Sequence, residues 1–269
     1  MACGALAEAR RLEESTVPPI ITLLTDFGTA DGYVGEMKGI ILSAVPDARL
    51  VDVSHDLGTG DVDGARLALA RYWLRFPADT IHLVVVDPGV GTERRPIAVS
   101  SGSRLLVGPD NGALSPALLA RGAAAFELVV PDSASPTFHG RDVFAPAVVA
   151  LAGGALPSSL GKPVDGPVIR RTAEPHRLPD GSIEGEVVAI DRFGNAITNC
   201  LGLKGGGFQF GEAWIPLQRT YGDVASGALV AVIGSNGLAE ISERDGSAAR
   251  RLGLVRGSRV VWRAAPISG

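Results

Sequence analysis

The sequence is poor in several residue types that mark particular classes of protein. Its 269 residues include only two cysteines and four histidines, and aromatic residues make up 5% of the chain. The two cysteines, Cys3 and Cys200, lie far apart and form no disulfide framework, and the histidines lack the spacing of zinc ligands. We therefore expect neither a disulfide-stabilised scaffold nor a metal site.

Charge of one sign and long apolar runs are also scarce. The formal net charge is −4 and basic residues form no long cluster, so binding to nucleic acid or to an anionic membrane is not expected. The longest apolar run, residues 143–156, is interrupted by Pro146 and two glycines and is too short to span a bilayer. Residues 1–19 lack the apolar core of a secretory signal. These features favour a cytoplasmic protein.

Strands and helices alternate in the first half of the chain. Apolar segments with the length of buried strands are separated by segments of helical periodicity, the first beginning near Gly32 and the second running from an Asp61 cap to Phe76. The strand segments are residues 20–24, 50–53 and 81–86. This alternation with short links predicts the α/β class and a doubly wound, mainly parallel sheet.

The second half has a different pattern. Beyond a turn-rich stretch near residue 175, short apolar segments recur between turn signals, which is typical of a small β-barrel or sandwich. The pattern therefore predicts an N-terminal extension, an N-terminal α/β domain, a linker and a C-terminal β domain. The predicted bounds are 1–18 for the extension, expected to be disordered, 19–170 for the α/β domain, 171–181 for the linker and 182–269 for the β domain.

A carboxylate is predicted at the end of the strand at residues 81–86. The strand stops at Asp87-Pro88-Gly89, which cannot continue a central strand, and Arg94 and Arg95 follow within reach. In open α/β sheets, ligands bind beyond the carboxyl ends of the strands. The alternative interpretation is a tight turn in which the aspartate caps its own backbone.

Other strand ends carry the same two interpretations. Asp26 follows the first strand, His139 precedes Gly140 at a predicted helix start, and Asp191 to Asn195 follow a strand of the second half. Each could bind a ligand, or could serve as a turn residue or a helix cap. None of these segments has the form of a phosphate-binding loop or of a metal motif.

Taken together, these segments resemble the S-adenosyl-L-methionine (SAM) hydroxide adenosyltransferases, SAM hydrolases that form adenosine and are related to the fluorinases and chlorinases. The matching segments, in chain order from about residue 20 to the C-terminus, are Thr25–Gly28, Val51–His55, Asp87–Thr92 with Arg94, Thr137–Asp142 and Asp191–Asn199. The resemblance implies an N-terminal α/β domain followed by a C-terminal β-barrel, with no cofactor. It also implies a homotrimer that binds SAM between one subunit's N-terminal domain and its neighbour's C-terminal domain.

The resemblance further implies a role for individual residues. The catalytic triad would be Asp87, Arg94 and His139. The substrate-binding residues would be Asp26, Asp31, Asp191, Phe193, Asn195, Ser235 and Glu240. Among these, Asp26 would accept hydrogen bonds from the ribose hydroxyls, and Phe193 and Asn195 would hold the adenine by stacking and hydrogen bonding. Asp31 would lie near the methionine portion of SAM, and Ser235 and Glu240 near its methionyl and adenine groups.

The implied reaction needs a positioned water and a proton acceptor. Attack at the ribose C5′ expels neutral methionine, so the leaving group requires no protonation. Arg94 cannot be the base because guanidinium stays protonated. Pairing with Arg94 lowers the basicity of Asp87 and so favours His139 as the acceptor, whereas burial of Asp87 would raise its pKa and reverse the choice.

Three other functions are alternatives to SAM hydrolysis. A halogenase is the nearest alternative, but these enzymes carry an aromatic hydroxyl where Asp87 stands, and a non-catalytic SAM or adenosine sensor has no use for a filled triad. A metal-dependent phosphohydrolase would need a second cluster of carboxylates or histidines. The sequence departs from its relatives at Gly60, where an aromatic residue is frequent, and at Asn236, where the halogenases carry arginine. The sequence does not indicate which sulfonium epimer of SAM is the substrate.

Overall fold

The structure is a computed structural model that describes residues 17–264. The extension predicted at residues 1–18 lies almost entirely outside the described residues. The chain divides into two compact units after Arg170. No helix in the described part of the chain is long and apolar enough to cross a membrane.

Unit 1 is built on a seven-stranded sheet with the order β2-β1-β3-β5-β4-β6-β7. Its strands are β1 (Ile20–Thr25), β2 (Arg49–Ser54), β3 (Ile81–Val85), β4 (Pro96–Ser101), β5 (Arg104–Pro109), β6 (Ala124–Leu128) and β7 (Gly161–Pro163). Neighbouring strands from β2 to β5 pair in parallel, whereas the pairs from β5 to β7 are antiparallel. The α/β prediction is confirmed, with a mixed sheet. The change from parallel to antiparallel pairing comes from the tight β4–β5 hairpin.

Helices cover both faces of this sheet. They are α1 (Tyr33–Ala44), α2 (Val62–Tyr72), α3 (Ser115–Leu118) and α4 (Ala145–Ala152), with 3₁₀ turns at Trp73–Arg75 and Pro157–Ser159 and a π-helical turn at Gly140–Phe144. Side chains of β1 alternate between the faces, so that Ile21 and Leu23 pack in one hydrophobic cluster and Leu24 packs in another. Asp61 caps α2 by accepting a hydrogen bond from Gly64 N at 2.9 Å.

Unit 2 is an antiparallel sheet with the order β12-β11-β15-β9-β10-β14-β13, and β8 pairs with β9. Its strands are β8 (His176–Arg177), β9 (Ile183–Ile190), β10 (Ala196–Leu201), β11 (Gly207–Phe210), β12 (Ala213–Pro216), β13 (Leu229–Ile233), β14 (Leu238–Glu243) and β15 (Arg259–Arg263), with a 3₁₀ turn at Tyr221–Asp223 and helix α5 at Ala248–Leu252. Leu217 bridges to Ala231 just beyond β12, which nearly closes the sheet into a barrel. Strand β8 lies inside the segment that the sequence assigned to a linker.

Candidate active site

The Asp87 loop is fixed at the carboxyl end of the parallel strands. Asn111, which follows the neighbouring strand β5, donates a hydrogen bond from Nδ2 to Val86 O at 2.8 Å and accepts one from Ala113 N at 3.1 Å. The local sequence Pro109-Asp110-Asn111-Gly112 is typical of a turn. The Asn111 side chain in fact holds the end of β3, because β3 and β5 are parallel neighbours whose carboxyl ends meet.

Asp87 forms a bidentate pair with Arg94. Arg94 Nε donates to Asp87 Oδ1 at 2.9 Å, and Arg94 Nη2 donates to Asp87 Oδ2. The exposed fractions of the two side chains are only 5% for Asp87 and 7% for Arg94. The adjacent Arg95 makes a separate pair, donating from Nε to Asp110 Oδ2 at 2.9 Å. The two consecutive arginines therefore hold different carboxylates, and Arg94 alone serves Asp87.

His139 completes the group from a third segment of unit 1. It immediately precedes the π-helical turn, a kind of distortion that is frequent at functional sites. Its Nδ1 lies 3.2 Å from Arg94 Nη2. Because a guanidinium nitrogen can only donate, we assign Nδ1 as the acceptor, so that the neutral ring carries its proton on Nε2. The side chains predicted as a triad are thus in direct contact.

Burial brings the pKa values of Asp87 and His139 closer together. It raises the pKa of Asp87 above its ordinary value, against the opposing influence of the Arg94 charge. It lowers the pKa of His139 below its ordinary value, and the positive charge of Arg94 lowers it further. Asp87 is therefore a stronger base than a solvated aspartate, and His139 is a weaker one than a solvated histidine.

One donor of the group is left without a partner. Arg94 Nη1 is buried and makes no hydrogen bond within residues 17–264. A buried N–H group without an acceptor costs free energy, so that a water or a ligand oxygen placed there would be bound favourably. The Arg94 guanidinium also lies over the ring of Phe144, at 5.4 Å from the ring centroid. Asp87 thus holds one edge of the guanidinium and the Phe144 ring lies against its face, while Nη1 can still donate to a ligand.

Asp26 lies in the loop after β1 and is oriented by Gly60. Its Oδ2 accepts a hydrogen bond from Gly60 N at 2.7 Å, and the residue is half-buried. Gly60 has a φ of +70°, a conformation that favours glycine. A Cβ at Gly60 would lie 3.5 Å from Pro88, at an ordinary contact distance. Backbone conformation, more than lack of space, therefore favours glycine at position 60.

Aromatic rings connect the Asp26 loop to the His139 segment. Phe27, Tyr33 and Phe138 contact one another edge to face, with ring centroids 5.3–6.1 Å apart. Phe27 follows Asp26 and Phe138 precedes His139. Asp31 lies exposed in the intervening loop before α1. Unit 1 thus gathers its predicted site residues at one edge of the sheet, with Asp31 at the surface.

Asp191 holds a turn of unit 2 with its side chain. Its Oδ1 accepts hydrogen bonds from Phe193 N and Asn195 N, both at 2.9 Å, and its Oδ2 accepts one from Asn195 Nδ2 at 2.9 Å. The ring of Phe193 is 76% exposed, whereas Asn195 is buried. The turn borders an open groove of about 650 Å³ that Arg250 and Leu254 also line. Asp191 thus presents the two residues predicted to bind adenine.

The two remaining predicted residues lie on or next to β14. Glu240 is buried and accepts a hydrogen bond from the Tyr221 hydroxyl at 2.9 Å, while Ser235 is exposed in the turn before the strand. Burial, together with the Glu240 carboxylate, raises the pKa of Tyr221 to about 12. Tyr221 is not predicted from the sequence, because its hydroxyl reaches Glu240 from a different segment and no local motif marks it.

Metal ligands do not cluster in the described part of the chain. Among residues 17–264, no three His, Cys, Asp or Glu side chains are grouped so that they could hold a metal ion. The predicted site residues named above lie in two groups, one group in unit 1 and the other in unit 2.

Two family models match the chain and together cover most of it. The model of the SAM hydroxide adenosyltransferase N-terminal domain matches residues 21–161, and the model of the C-terminal domain of the same family matches residues 185–261. These two matches fall within unit 1 and unit 2, respectively.

Individual relatives agree with the family models. The chain is 41% identical to a Thermus thermophilus protein named (R)-S-adenosyl-L-methionine hydrolase, over 89% of this chain and 98% of that protein. It is 29% identical to a protein from Actinopolyspora mzabensis named fluorinase, over 93% and 98% of the two chains. A crystal structure of an uncharacterised Thermotoga maritima protein matches with a TM-score of 0.82 and 30% identity, over 90% and 99% of the chains. The protein therefore belongs to the SAM hydroxide adenosyltransferase family.

Proposed function

We propose that this protein hydrolyses S-adenosyl-L-methionine to adenosine and L-methionine, with no metal or other cofactor. The observation that carries this proposal is the direct contact of Asp87, Arg94 and His139 at the carboxyl end of the sheet. A carboxylate, a guanidinium and an imidazole suit the handling of water, whereas a halide nucleophile needs no base. The name of the Thermus thermophilus relative, (R)-S-adenosyl-L-methionine hydrolase, supports the same reaction.

In the proposed reaction a water oxygen forms a bond to the ribose C5′ while the C5′–S bond breaks. The bonding electrons pass to sulfur, which turns the sulfonium into the neutral thioether of methionine. The water loses one proton, and Asp87 accepts it, since burial raises its pKa and Arg94 already engages Nδ1 of His139. The remaining proton stays on the 5′-hydroxyl of adenosine, so that atoms and charge balance.

The other two members position the water. Arg94 Nη1, the buried donor without a partner, donates to the attacking oxygen as negative charge develops there. The Nε2–H of neutral His139 supplies a second donor. Positioning of this kind contributes several kcal/mol to lowering a barrier, and a general base adds about 10²–10⁴-fold in rate.

The substrate is held by residues of both units. We propose that Asp26 accepts hydrogen bonds from the ribose hydroxyls. Gly60 N engages Oδ2 of this carboxylate, and Oδ1 can still accept. Phe193 stacks on the adenine and Asn195 hydrogen-bonds to it, with Asp191 holding their turn. Asp31, Ser235 and Glu240 bind the remainder of SAM. Because the Thermus thermophilus relative is named for the (R) epimer, we propose that the (R) sulfonium is preferred here.

Product analysis in heavy-oxygen water tests this proposal. Each SAM epimer is incubated with the protein in H₂¹⁸O, with chelator and without halide, and the adenosine is analysed by mass spectrometry. We expect ¹⁸O at the 5′-hydroxyl and faster turnover of the (R) epimer. A 5′-halogenated adenosine formed only when halide is added, or no adenosine at all, would contradict the proposal. Loss of activity on chelation would contradict the metal-free mechanism.

We further propose that the protein is a cytoplasmic homotrimer whose active sites each combine unit 1 of one subunit with unit 2 of its neighbour. The resemblance to the family supports this arrangement, as does the exposure of the Phe193 ring in the single chain. Mixing two variants at a SAM concentration well below the wild-type KM tests it, one with Asp87→Asn in unit 1, which is impaired in chemistry, and one with Phe193→Ala in unit 2, which is impaired in binding. Subunit exchange should raise the activity of a trimeric fraction above the sum of the two separate variants, whereas sites confined to one subunit would give that sum and no more. Cell fractionation checks the location.

A further inference from the structure

The loop that carries Asp26 is held by a buried histidine from the neighbouring strand. His55, which follows β2, accepts a hydrogen bond at Nδ1 from the Thr25 hydroxyl at 2.8 Å, and both side chains are buried. His55 O accepts a second hydrogen bond from Gly28 N at 2.8 Å. The same histidine therefore holds the loop on both sides of Asp26.

The environment of His55 fixes the direction of these hydrogen bonds. Its Nε2 lies 3.0 Å from Asp52 Oδ1, within ion-pair distance although without a well-aligned hydrogen bond. Lys38 Nζ donates to the other oxygen of Asp52 at 2.6 Å. The nearby carboxylate favours the proton on Nε2, which leaves the Nδ1 lone pair to accept from Thr25.

Thr25 passes this constraint on to the backbone of the loop. Since its hydroxyl proton is donated to His55, a lone pair of Oγ1 is free to accept the N–H of Phe27, and the two atoms lie 3.2 Å apart. The two peptide units that follow Asp26 are thereby set, the first through Phe27 N and the second through Gly28 N. Among residues 17–264, the carboxylate of Asp26 itself receives one hydrogen bond, from the N–H of Gly60. Its position consequently depends on the backbone that His55 and Thr25 hold.

We propose that His55 is a positioning residue for substrate binding, acting through Thr25 to place the Asp26 carboxylate for the ribose hydroxyls. This inference rests on the proposed function, which assigns Asp26 to the ribose. His55 has no proposed contact with the substrate or with the triad. Its removal should therefore weaken SAM binding while leaving the chemical step at Asp87, Arg94 and His139 largely intact.

The chain supplies a matched control for this pair. Three residues earlier on β1, Thr22 hydrogen-bonds to His82 Nδ1, also at 2.8 Å and also buried. Residues 22 and 25 differ in parity and so project to opposite faces of the sheet. The Thr22 pair lies in the middle of a strand and holds no loop. It should contribute to stability and not to substrate binding.

The experiment replaces each threonine by valine, which has the same shape but no hydroxyl. KM and kcat are measured with SAM, its Kd by calorimetry and the melting temperature by circular dichroism. We expect Thr25→Val to raise KM and Kd by about tenfold, as loss of one hydrogen bond implies, with kcat changed by less than about threefold. Thr25→Ser, which restores the hydroxyl, should recover the wild-type KM. Thr22→Val should lower the melting temperature alone.

A second pair of variants guards against failure of Thr25→Val to fold. His55→Asn keeps a hydrogen-bonding group near the place of Nδ1 and should retain most of the affinity, whereas His55→Leu should lose it. The inference is wrong if Thr25→Val or His55→Leu keeps the wild-type KM and Kd while the melting temperature falls as in Thr22→Val. Absence of turnover in the wild-type protein would instead contradict the proposed function, and the calorimetric Kd would still report on the loop.

Discussion

Asp87 and Asp191 stand at similar places in the two units, since each follows a strand and precedes a glycine-containing turn. Their partners differ. Asp87 is held by the guanidinium of Arg94, whereas Asp191 is held by backbone N–H groups and by the amide of Asn195. A carboxylate bound to its own backbone fixes a loop, and one bound to a distant side chain is placed for proton exchange. Under the proposed function, the same local sequence pattern would therefore serve binding in one unit and chemistry in the other.

Replacing Asp87 by asparagine should have the largest effect. Asp87→Asn keeps the shape of the side chain but removes the proton acceptor. We expect kcat to fall by about 10²–10⁴-fold, the contribution typical of a general base. The Kd for SAM should change little, because Asp87 has no proposed part in holding the substrate. Single-turnover kinetics and calorimetry measure the two quantities separately.

Asp110→Asn is the control for this variant. Asp110 is buried and paired with Arg95, the residue next to Arg94, and its side-chain hydrogen bonds in the described part of the chain go to Arg95 and Val168 and not to the triad. Loss of its charge should lower the free energy of unfolding by about 1–3 kcal/mol, as expected for a hydrogen bond between charged groups, while kcat stays near the wild-type value. If kcat fell equally in both variants, the loss in Asp87→Asn would come from breaking a buried aspartate–arginine pair that the fold needs. It would not come from removal of a proton acceptor.

Replacing Asp191 by alanine should affect binding and not chemistry. The variant removes the hydrogen bonds that hold Phe193 and Asn195 in their turn. We expect KM for SAM to rise by about tenfold or more, with kcat at saturation within about threefold of the wild type. Asp180→Ala is the control, since Asp180 holds another turn of unit 2 through Ser182. A fall in kcat as large as that of Asp87→Asn would erase the difference between the two aspartates.

The pH dependence of kcat should report the Asp87 group. Its pKa is raised above the ordinary value of 3.8, so that the carboxylate protonates at a higher pH than a solvated aspartate, and the pKa of His139 is lowered below 6.5. Turnover should therefore fall on acidification with a midpoint above 3.8, and the apparent pKa belongs to the coupled group. Asp191→Ala should keep the same profile, whereas Asp87→Asn should lose it. A midpoint at or below 3.8 would contradict the assignment of a buried Asp87 as the base.

Local signals were sufficient to find the strand-end residues. The break at Asp87-Pro88-Gly89 and the cap at Asp61 follow from rules on proline, glycine and helix termini, and both features are present. The helix from Asp61 ends at Tyr72 and continues as a 3₁₀ turn to Arg75, so that its predicted end at Phe76 was slightly late. Such ends depend on packing of the last turn, which local sequence describes poorly.

Contacts between distant segments could not be predicted in this way. Asn111 holds Val86 only because β3 and β5 are neighbours, and His55 reaches Thr25 only because β1 and β2 are. The order of strands in a sheet is a property of the whole fold, and the short motif around His55 carries no trace of its partner. The balance between burial and the Arg94 charge at Asp87 likewise depends on the three-dimensional environment.

An exposed ion pair gives the smallest effect and completes the comparison of carboxylates. Lys162 of β7 lies opposite Glu127 of β6, with Nζ 3.3 Å from Oε2, and the lysine side chain is 76% exposed. Water screens such a pair, so Lys162→Met should change the free energy of unfolding by less than about 1 kcal/mol, with kcat and KM unaltered. Urea denaturation at low and high salt measures the change. A larger, salt-independent loss would mean that exposed pairs also hold this fold, and that burial is not what separates Asp87 from the other carboxylates.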